Sequence, residues 1–143
     1  MARVTIDMPD RFSFETTIPI RIGDINYGGH LGNDTVLTLV HECRVRYLKS
    51  LGLTEMDVGG CGIIQADAAV VYRSEAFYGQ SVRIQVAAIQ EGRSSCELYY
   101  RLSDEAEDRE IACVKTGIVF FDYGNRKVTR IPNAFRQAIA TDD

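Results

Sequence analysis

No apolar run in the sequence approaches the roughly 20 residues that a membrane-spanning helix requires, which argues against a helical membrane protein. Basic charge is also short. Sixteen Lys and Arg stand against 20 Asp and Glu, a formal net charge of −4, which argues against a dominant nucleic-acid or membrane-surface partner, since both need a basic face to meet phosphates. The opening MARVTIDMPDRFSFE lacks the basic stretch followed by an apolar one that marks a secretory leader. Four cysteines, Cys43, Cys61, Cys96 and Cys113, show no CxxC spacing and lie in apolar or glycine-containing stretches, as small buried hydrophobes do. That pattern argues against a disulfide framework and a catalytic thiol, and it fits a reduced cytoplasm. With three prolines, no internal repeat and no low-complexity tract, nothing reads as a linker, and residues 1–143 are expected to form one domain around one core.

What is present is periodicity. TTIPIRI at 16–22 is β-branched and alternating and reads as a first strand ending at Gly23-Asp24. From 34 to 51 the apolar positions Val36, Leu39, Val40, Cys43 and Tyr47 recur at three and four, with Leu37, Leu48 and Leu51 widening the stripe into one long helix. Asn33 is the expected N-cap, Leu31 a hydrophobic staple before it, and Gly52 the left-handed residue beyond the C-terminus. Four strand-like runs follow at 63–73, 81–89, 95–103 and 111–121. A hairpin-like extension at 128–130 and a short helix at 133–140 close the chain. A single helix cannot cover both faces of such a sheet, so the sheet is expected to wrap the helix and to find a second subunit on its edge or far face.

Polar and glycine residues that a core does not need are concentrated in Gly23-Asp24-Ile25-Asn26-Tyr27-Gly28-Gly29-His30-Leu31-Gly32-Asn33-Asp34, just before the long helix. Backbone N–H groups near Gly29 to Gly32 would there meet the positive end of the helix macrodipole and polarise a carbonyl. The same residues also describe a plain strand-to-helix turn.

GDINYGGHLGNDTVLTLVHECRVRYLKSLGL resembles the strand-to-helix signature of the 4-hydroxybenzoyl-CoA thioesterase-like hotdog family, with Gly23, Asp24, Gly29, His30, Asn33, Arg44 and Gly52 on the pattern. VVYRSEAFYGQSVRIQV resembles the strand, turn and strand that follow in that family, with Gly79 opening the second strand. The resemblance implies an α+β hotdog fold, a five-stranded antiparallel sheet wrapped around one long helix, assembled as a homodimer or homotetramer. It implies hydrolysis of an acyl-CoA or acyl-carrier thioester, with coenzyme A as part of the substrate and no further cofactor or metal. The catalytic candidates it brings forward are Asp24, Asn26, His30 and Glu42; the candidate substrate-binding residues are Tyr27, Gly28, Gly29, Leu31, Gly32, Asn33 and Asp67. The family's usual carboxylate falls at Asn26, and an amide is neither a general base nor a nucleophile at neutral pH. Two alternatives follow: a hotdog enoyl-CoA hydratase, whose motif Gly23-Asp24-Ile25-Asn26 and His30 partly match, and a non-catalytic acyl-thioester binding protein.

Each candidate has a plainer role. His30 is either a base or a turn-fixing residue, and Asp24 caps the turn through backbone N–H groups. Glu42 points inward or pairs with Arg46 at i+4, and His41 sits on the helix surface or at an interface. Asp67, in the apolar IIQADAAVV, either points outward or meets a partner's helix. Arg73, Lys115, Arg126 and Lys127 have the charge for nucleotide phosphates or for plain solvation.

Overall fold

The alternating segments pair into one antiparallel sheet in the computed structural model, which describes residues 2–90 and 92–140. Its strands are β1 (Phe14–Pro19), β2 (Gly62–Tyr72), β3 (Ser81–Gln90), β4 (Ser95–Asp104), β5 (Glu110–Asp122) and β6 (Lys127–Val128), and its helices are α1 (Asn33–Ser50) and α2 (Asn133–Ala140). The order is β1-β3-β4-β5-β2, with β6 hairpinned onto the end of β5 through Phe121↔Val128. The architecture is therefore α+β, six antiparallel strands and two helices, where a five-stranded sheet with one long helix was expected.

Apolar periodicity dictates how the layers meet. Val82, Ile84 and Val86 on β3, with Leu98, Tyr100 and Leu102 on β4, turn inward and share one core with Val36, Leu39, Val40, Cys43, Tyr47 and Leu48 of α1. Burying each Val, Leu or Ile of that stripe contributes roughly 1.5–3 kcal/mol, so packing rather than intrinsic propensity fixes α1 against the sheet. Phe120 meets Phe135 edge-on with ring centroids 4.9 Å apart, which seats α2 on the core.

Two local expectations need correction. The first strand runs Phe14–Pro19 rather than 16–22, because Pro19 has no N–H for a ladder; the chain then enters a 3-10 turn at Ile22–Asp24. The N-cap of α1 is Gly32, not Asn33. Gly32 is extended (φ −67, ψ 143) and its carbonyl accepts the N–H groups of Thr35 and Val36 at 3.1 and 3.3 Å, so Asn33 is already the first helical residue. At the other end the expectation for Gly52 holds. With φ +77 it donates to the Lys49 carbonyl (3.0 Å) while Leu53 donates to that of Leu48 (2.8 Å), a Schellman closure.

β1 and β2 are the edges of the sheet. β2 exposes Ile64 and the small residues after it, an unpaired edge of the kind that proteins ordinarily cover.

Candidate active site

The link from β1 to α1 is closed by its own polar groups. Asp24 is buried and accepts the Arg21 backbone N–H at 2.9 Å, with the Arg21 guanidinium 3.6 Å away; both contacts lie inside the 3-10 turn, so this carboxylate acts as a turn cap. Beyond it, Ile25 and Leu31 bridge as a miniature hairpin. Asn26 donates its N–H to the His30 carbonyl at 2.9 Å and accepts from Gly29 N–H at 3.0 Å, while Gly29 takes the left-handed φ of +88 that the turn needs. The Asn26 side-chain oxygen fills the loop, accepting the Gly28 N–H at 2.9 Å and the His30 N–H at 3.4 Å.

This accounting relocates the available donors. Gly28, Gly29 and His30 give their amide protons to Asn26, Leu31 gives its own to the Ala76 carbonyl (2.8 Å) and Gly32 to that of Asp24 (3.0 Å). The amides expected to polarise a carbonyl are thus occupied by the loop itself. Among the described residues, those of Asn33 and Asp34, at the first turn of α1, have no acceptor. They are the orphan donors every helix start presents, at the positive end of its dipole.

His30 stands beside them, half-buried. Its Nδ1 lies 3.0 Å from the Leu31 carbonyl, an acceptor only, so Nδ1 is the donor and in the neutral ring the lone pair is on Nε2. A Cβ placed on Gly28 would stand 3.2 Å from Asn26 Oδ1 and 3.5 Å from His30 Nε2, which puts both atoms on the same side of that glycine. His30, Asn33 and Val36 line a hollow of about 230 Å³ together with Tyr72, Ala76, Ile111 and the polar stretch Arg73-Ser74-Glu75. The Tyr72 hydroxyl donates to the Asn33 carbonyl at 2.9 Å, tying the end of β2 to the start of α1. Sequence reasoning missed Tyr72, Ala76 and Ile111, since nothing local shows that the end of β2 and the start of β5 come up against this helix turn.

The remaining candidates sit elsewhere. Tyr27 is fully exposed and Leu31 belongs to the core. Glu42 pairs with Arg46 at 2.9 Å, and Arg46 also donates to Thr16 Oγ1 on β1 (2.8 Å). Asp67 faces outward at a bulge in β2, where Oδ1 accepts from Lys115 Nζ at 2.8 Å and from the Gly117 N–H at 2.9 Å. The hydrogen bond from Lys115, aided by its charge and by Gly117, holds this carboxyl below the usual range.

His41 lies on the helix surface and bonds Glu55 at 2.8 Å. The buried Arg44 places its guanidinium on the other oxygen of Glu55 (2.7 Å) and on Gln65 (3.0 Å). Burial alone would raise the Glu55 pKa, but the hydrogen bonds from His41 and Arg44 more than offset it, and the carboxyl titrates low.

All four cysteines are reduced and buried, and burial pushes the Cys43 thiol up to about 12 in spite of Arg46 and Arg44, so it is no nucleophile. Of the basic residues singled out above, Arg73 pairs with Glu110 at 3.3 Å and Lys115 is shared between Asp67 and Glu97. Among the described residues no group of His, Cys, Asp and Glu could hold a metal ion, and no helix is long and apolar enough to cross a membrane.

Residues 20–139 match the family model described as the thioesterase-like superfamily. A 1,4-dihydroxy-2-naphthoyl-CoA thioesterase from Synechocystis superimposes with a TM-score of 0.82 at 19% identity, covering 89% of this chain and 95% of its own. A DHNA-CoA thioesterase from Staphylococcus aureus gives 0.77 at 19% identity, covering 89% and 88%. A hypothetical protein from Aquifex aeolicus gives 0.80 at 18% identity, covering 88% and 98%. No curated protein matches the sequence. At these identities the structural likeness speaks to the fold.

Proposed function

From its membership of the thioesterase-like superfamily, to which this chain belongs, we propose that it hydrolyses the thioester of an acyl-CoA, using the first turn of α1 and the imidazole of His30. Two features support the mechanism: the Asn33 and Asp34 amides have no acceptor, and His30, whose Nδ1 bonds the Leu31 carbonyl, lines the same hollow as Asn33.

The thioester carbonyl oxygen accepts from the helix-start amides, which stabilise the negative charge that grows on it during attack. His30 Nε2 takes a proton from water as the water oxygen bonds to the carbonyl carbon. Collapse of the tetrahedral intermediate breaks the C–S bond, and the imidazolium returns the proton to the departing sulfur, leaving a carboxylic acid and free coenzyme A thiol. Asn26 is no base. It shapes the loop by accepting from Gly28 and His30, and so presents the imidazole and the helix start together.

Of the four catalytic candidates read from the sequence, Glu42 is committed to Arg46, Asp24 to Arg21, and the Asn26 amide is no base, which leaves His30. The exposed β2 edge is the natural place for a second copy of the chain, as a homodimer or homotetramer in the cytoplasm. The test is release of free thiol from a panel of acyl-CoAs by the native protein. Turnover supports a hydrolase, whereas tight binding of the same compounds without turnover would instead assign an acyl-thioester binding protein on this frame.

A further inference from the structure

The carbonyl that accepts the Leu31 N–H belongs to Ala76, and Ala76 lies in a stretch outside the strand ladders. The β2–β5 pairing ends at Tyr72↔Ala112 and β3 begins at Ser81, so residues 73–80 cross from one edge of the sheet to β3, past β5 and β4. The start of this crossing is tied by the Arg73 and Ser74 N–H groups, which donate to the Ile111 carbonyl at 2.8 and 3.2 Å. Its end is tied by the Gln80 carbonyl, which accepts the Ile20 N–H at 2.9 Å. Glu75 and Ala76 stand between the two ties.

Arg109 reaches them from the turn that joins β4 to β5. Its Nη1 donates to Ser74 Oγ at 2.5 Å and to the Glu75 carbonyl at 2.6 Å, two acceptors for the two protons of one nitrogen. Ser74 Oγ gives its own proton to the Glu110 carbonyl at 2.6 Å, so the hydroxyl is locked as acceptor on one side and donor on the other. The base of Arg109 is also fixed, because its carbonyl accepts the Asp104 N–H at 2.8 Å and Asp108 donates to the Asp104 carbonyl at 2.8 Å. On the outer side the exposed Glu107 lies 3.5 Å from Nε. Bonds from a guanidinium are charge-assisted and stronger than the neutral ones around them. They hold Glu75, and the next carbonyl in the chain, that of Ala76, accepts from Leu31 at 2.8 Å, while the Leu31 carbonyl accepts from His30 Nδ1 at 3.0 Å.

We infer that Arg109 is a positioning residue for His30. By clamping Ser74 and Glu75 it holds the Ala76 carbonyl in place, and through Leu31 it keeps the imidazole in one orientation with its proton on Nδ1. The consequence for catalysis rests on the thioester-hydrolase reading, whereas the consequence for the tautomer can be measured without turnover.

NMR of the imidazole nitrogens in the full-length protein, at a pH where the rings are neutral, distinguishes the two tautomers, and the chain has only two histidines, His30 and His41. His41 bonds Glu55 instead and serves as the internal reference, with His30→Ala to assign the signals. Native His30 should show the Nδ1–H form. In Arg109→Ala the share of that form should fall by about twofold or more, because the Leu31 carbonyl is no longer held, while His41 stays as it was. Glu107→Gln breaks the outer ion pair and leaves the clamp, so His30 should match the native protein. If Arg109→Ala does not fold, Ser74→Ala removes one of the two acceptors and should move His30 in the same direction. A native His30 in the Nε2–H form, an unmoved tautomer in the folded variant, or an equal change in Glu107→Gln overturns the inference.

Thiol release from acyl-CoAs then separates the two ideas. Arg109→Ala should lower kcat about tenfold with KM little changed. If the tautomer responds to Arg109 and the native protein releases no thiol, the clamp stands and the hydrolase reading falls. If turnover depends on His30 and the tautomer ignores Arg109, the hydrolase reading stands and the clamp falls. A shifted tautomer at native kcat leaves the clamp and removes His30 as the base.

Discussion

The Nδ1 of His30 lies 3.0 Å from the carbonyl oxygen of Leu31, the residue that follows it in the chain. Leu31 is itself fixed, buried in the core and donating its N–H to the Ala76 carbonyl at 2.8 Å. The imidazole is therefore oriented by a backbone group that cannot drift, and the same bond decides which nitrogen holds the proton. Such a tether is how a loop histidine acquires one tautomer and one direction without a carboxylate behind it.

Asn26 holds the loop around His30 through the Gly28 and His30 amides, so two replacements of it should separate. Asn26→Ala removes the acceptor for the Gly28 and His30 amides and should cost about 1 kcal/mol in thermal or urea unfolding. Asn26→Asp keeps an acceptor oxygen in the same place and should unfold close to the native protein.

Tyr72 ties β2 to the start of α1 through one neutral hydrogen bond to Asn33, worth about 1 kcal/mol. Tyr72→Phe keeps the ring and loses the tie. Steady-state kinetics should show kcat falling several-fold with KM little changed, because the loss loosens the amides proposed to act in the transition state.

Much of this frame was legible in the sequence. The α1 stripe of Val36, Leu39, Val40, Cys43 and Tyr47 is buried as its spacing requires, and Gly52 closes the helix in the left-handed conformation expected of it. The loop stood out as a candidate site because its glycines and polar residues served no core. What was not legible is where each amide proton goes. Leu31 finds Ala76 far along the chain, and the Asn26 side chain folds back on Gly28 and His30, so the donors expected at Gly28 to Gly32 are spent and those of Asn33 and Asp34 remain. Glu55 escaped notice for the same reason, since only the fold brings its loop against His41 and Arg44.

Glu55 carries the strongest stability prediction. Glu55→Ala leaves the buried Arg44 guanidinium without its counter-charge and should cost about 2–3 kcal/mol, somewhat under the usual penalty for breaking a buried pair because Glu55 itself is partly exposed.

The Glu55 carboxyl is lowered from its usual value of 4.5 in the folded protein. Its stabilising contribution is therefore complete above the unfolded pKa and is lost as pH falls through the lower folded value. Urea unfolding between neutrality and about pH 3 should show the native protein losing stability at the acid end more steeply than Glu55→Gln, whose side chain does not titrate.

Gly52→Ala isolates a backbone effect. With φ at +77 and no atom within 4 Å of the added Cβ, the substitution meets strain but no clash, and should cost about 1 kcal/mol in thermal unfolding.

The most direct test is thiol release from short-chain acyl-CoAs by the native protein and by His30→Ala, with thermal unfolding measured on both. Loss of about 10²–10³-fold in kcat at a nearly unchanged melting temperature is the expected result, since a positioned base contributes on that order. Native-like turnover by His30→Ala, or the same loss appearing instead in Glu42→Gln, would contradict the assignment of His30 as the group that activates water.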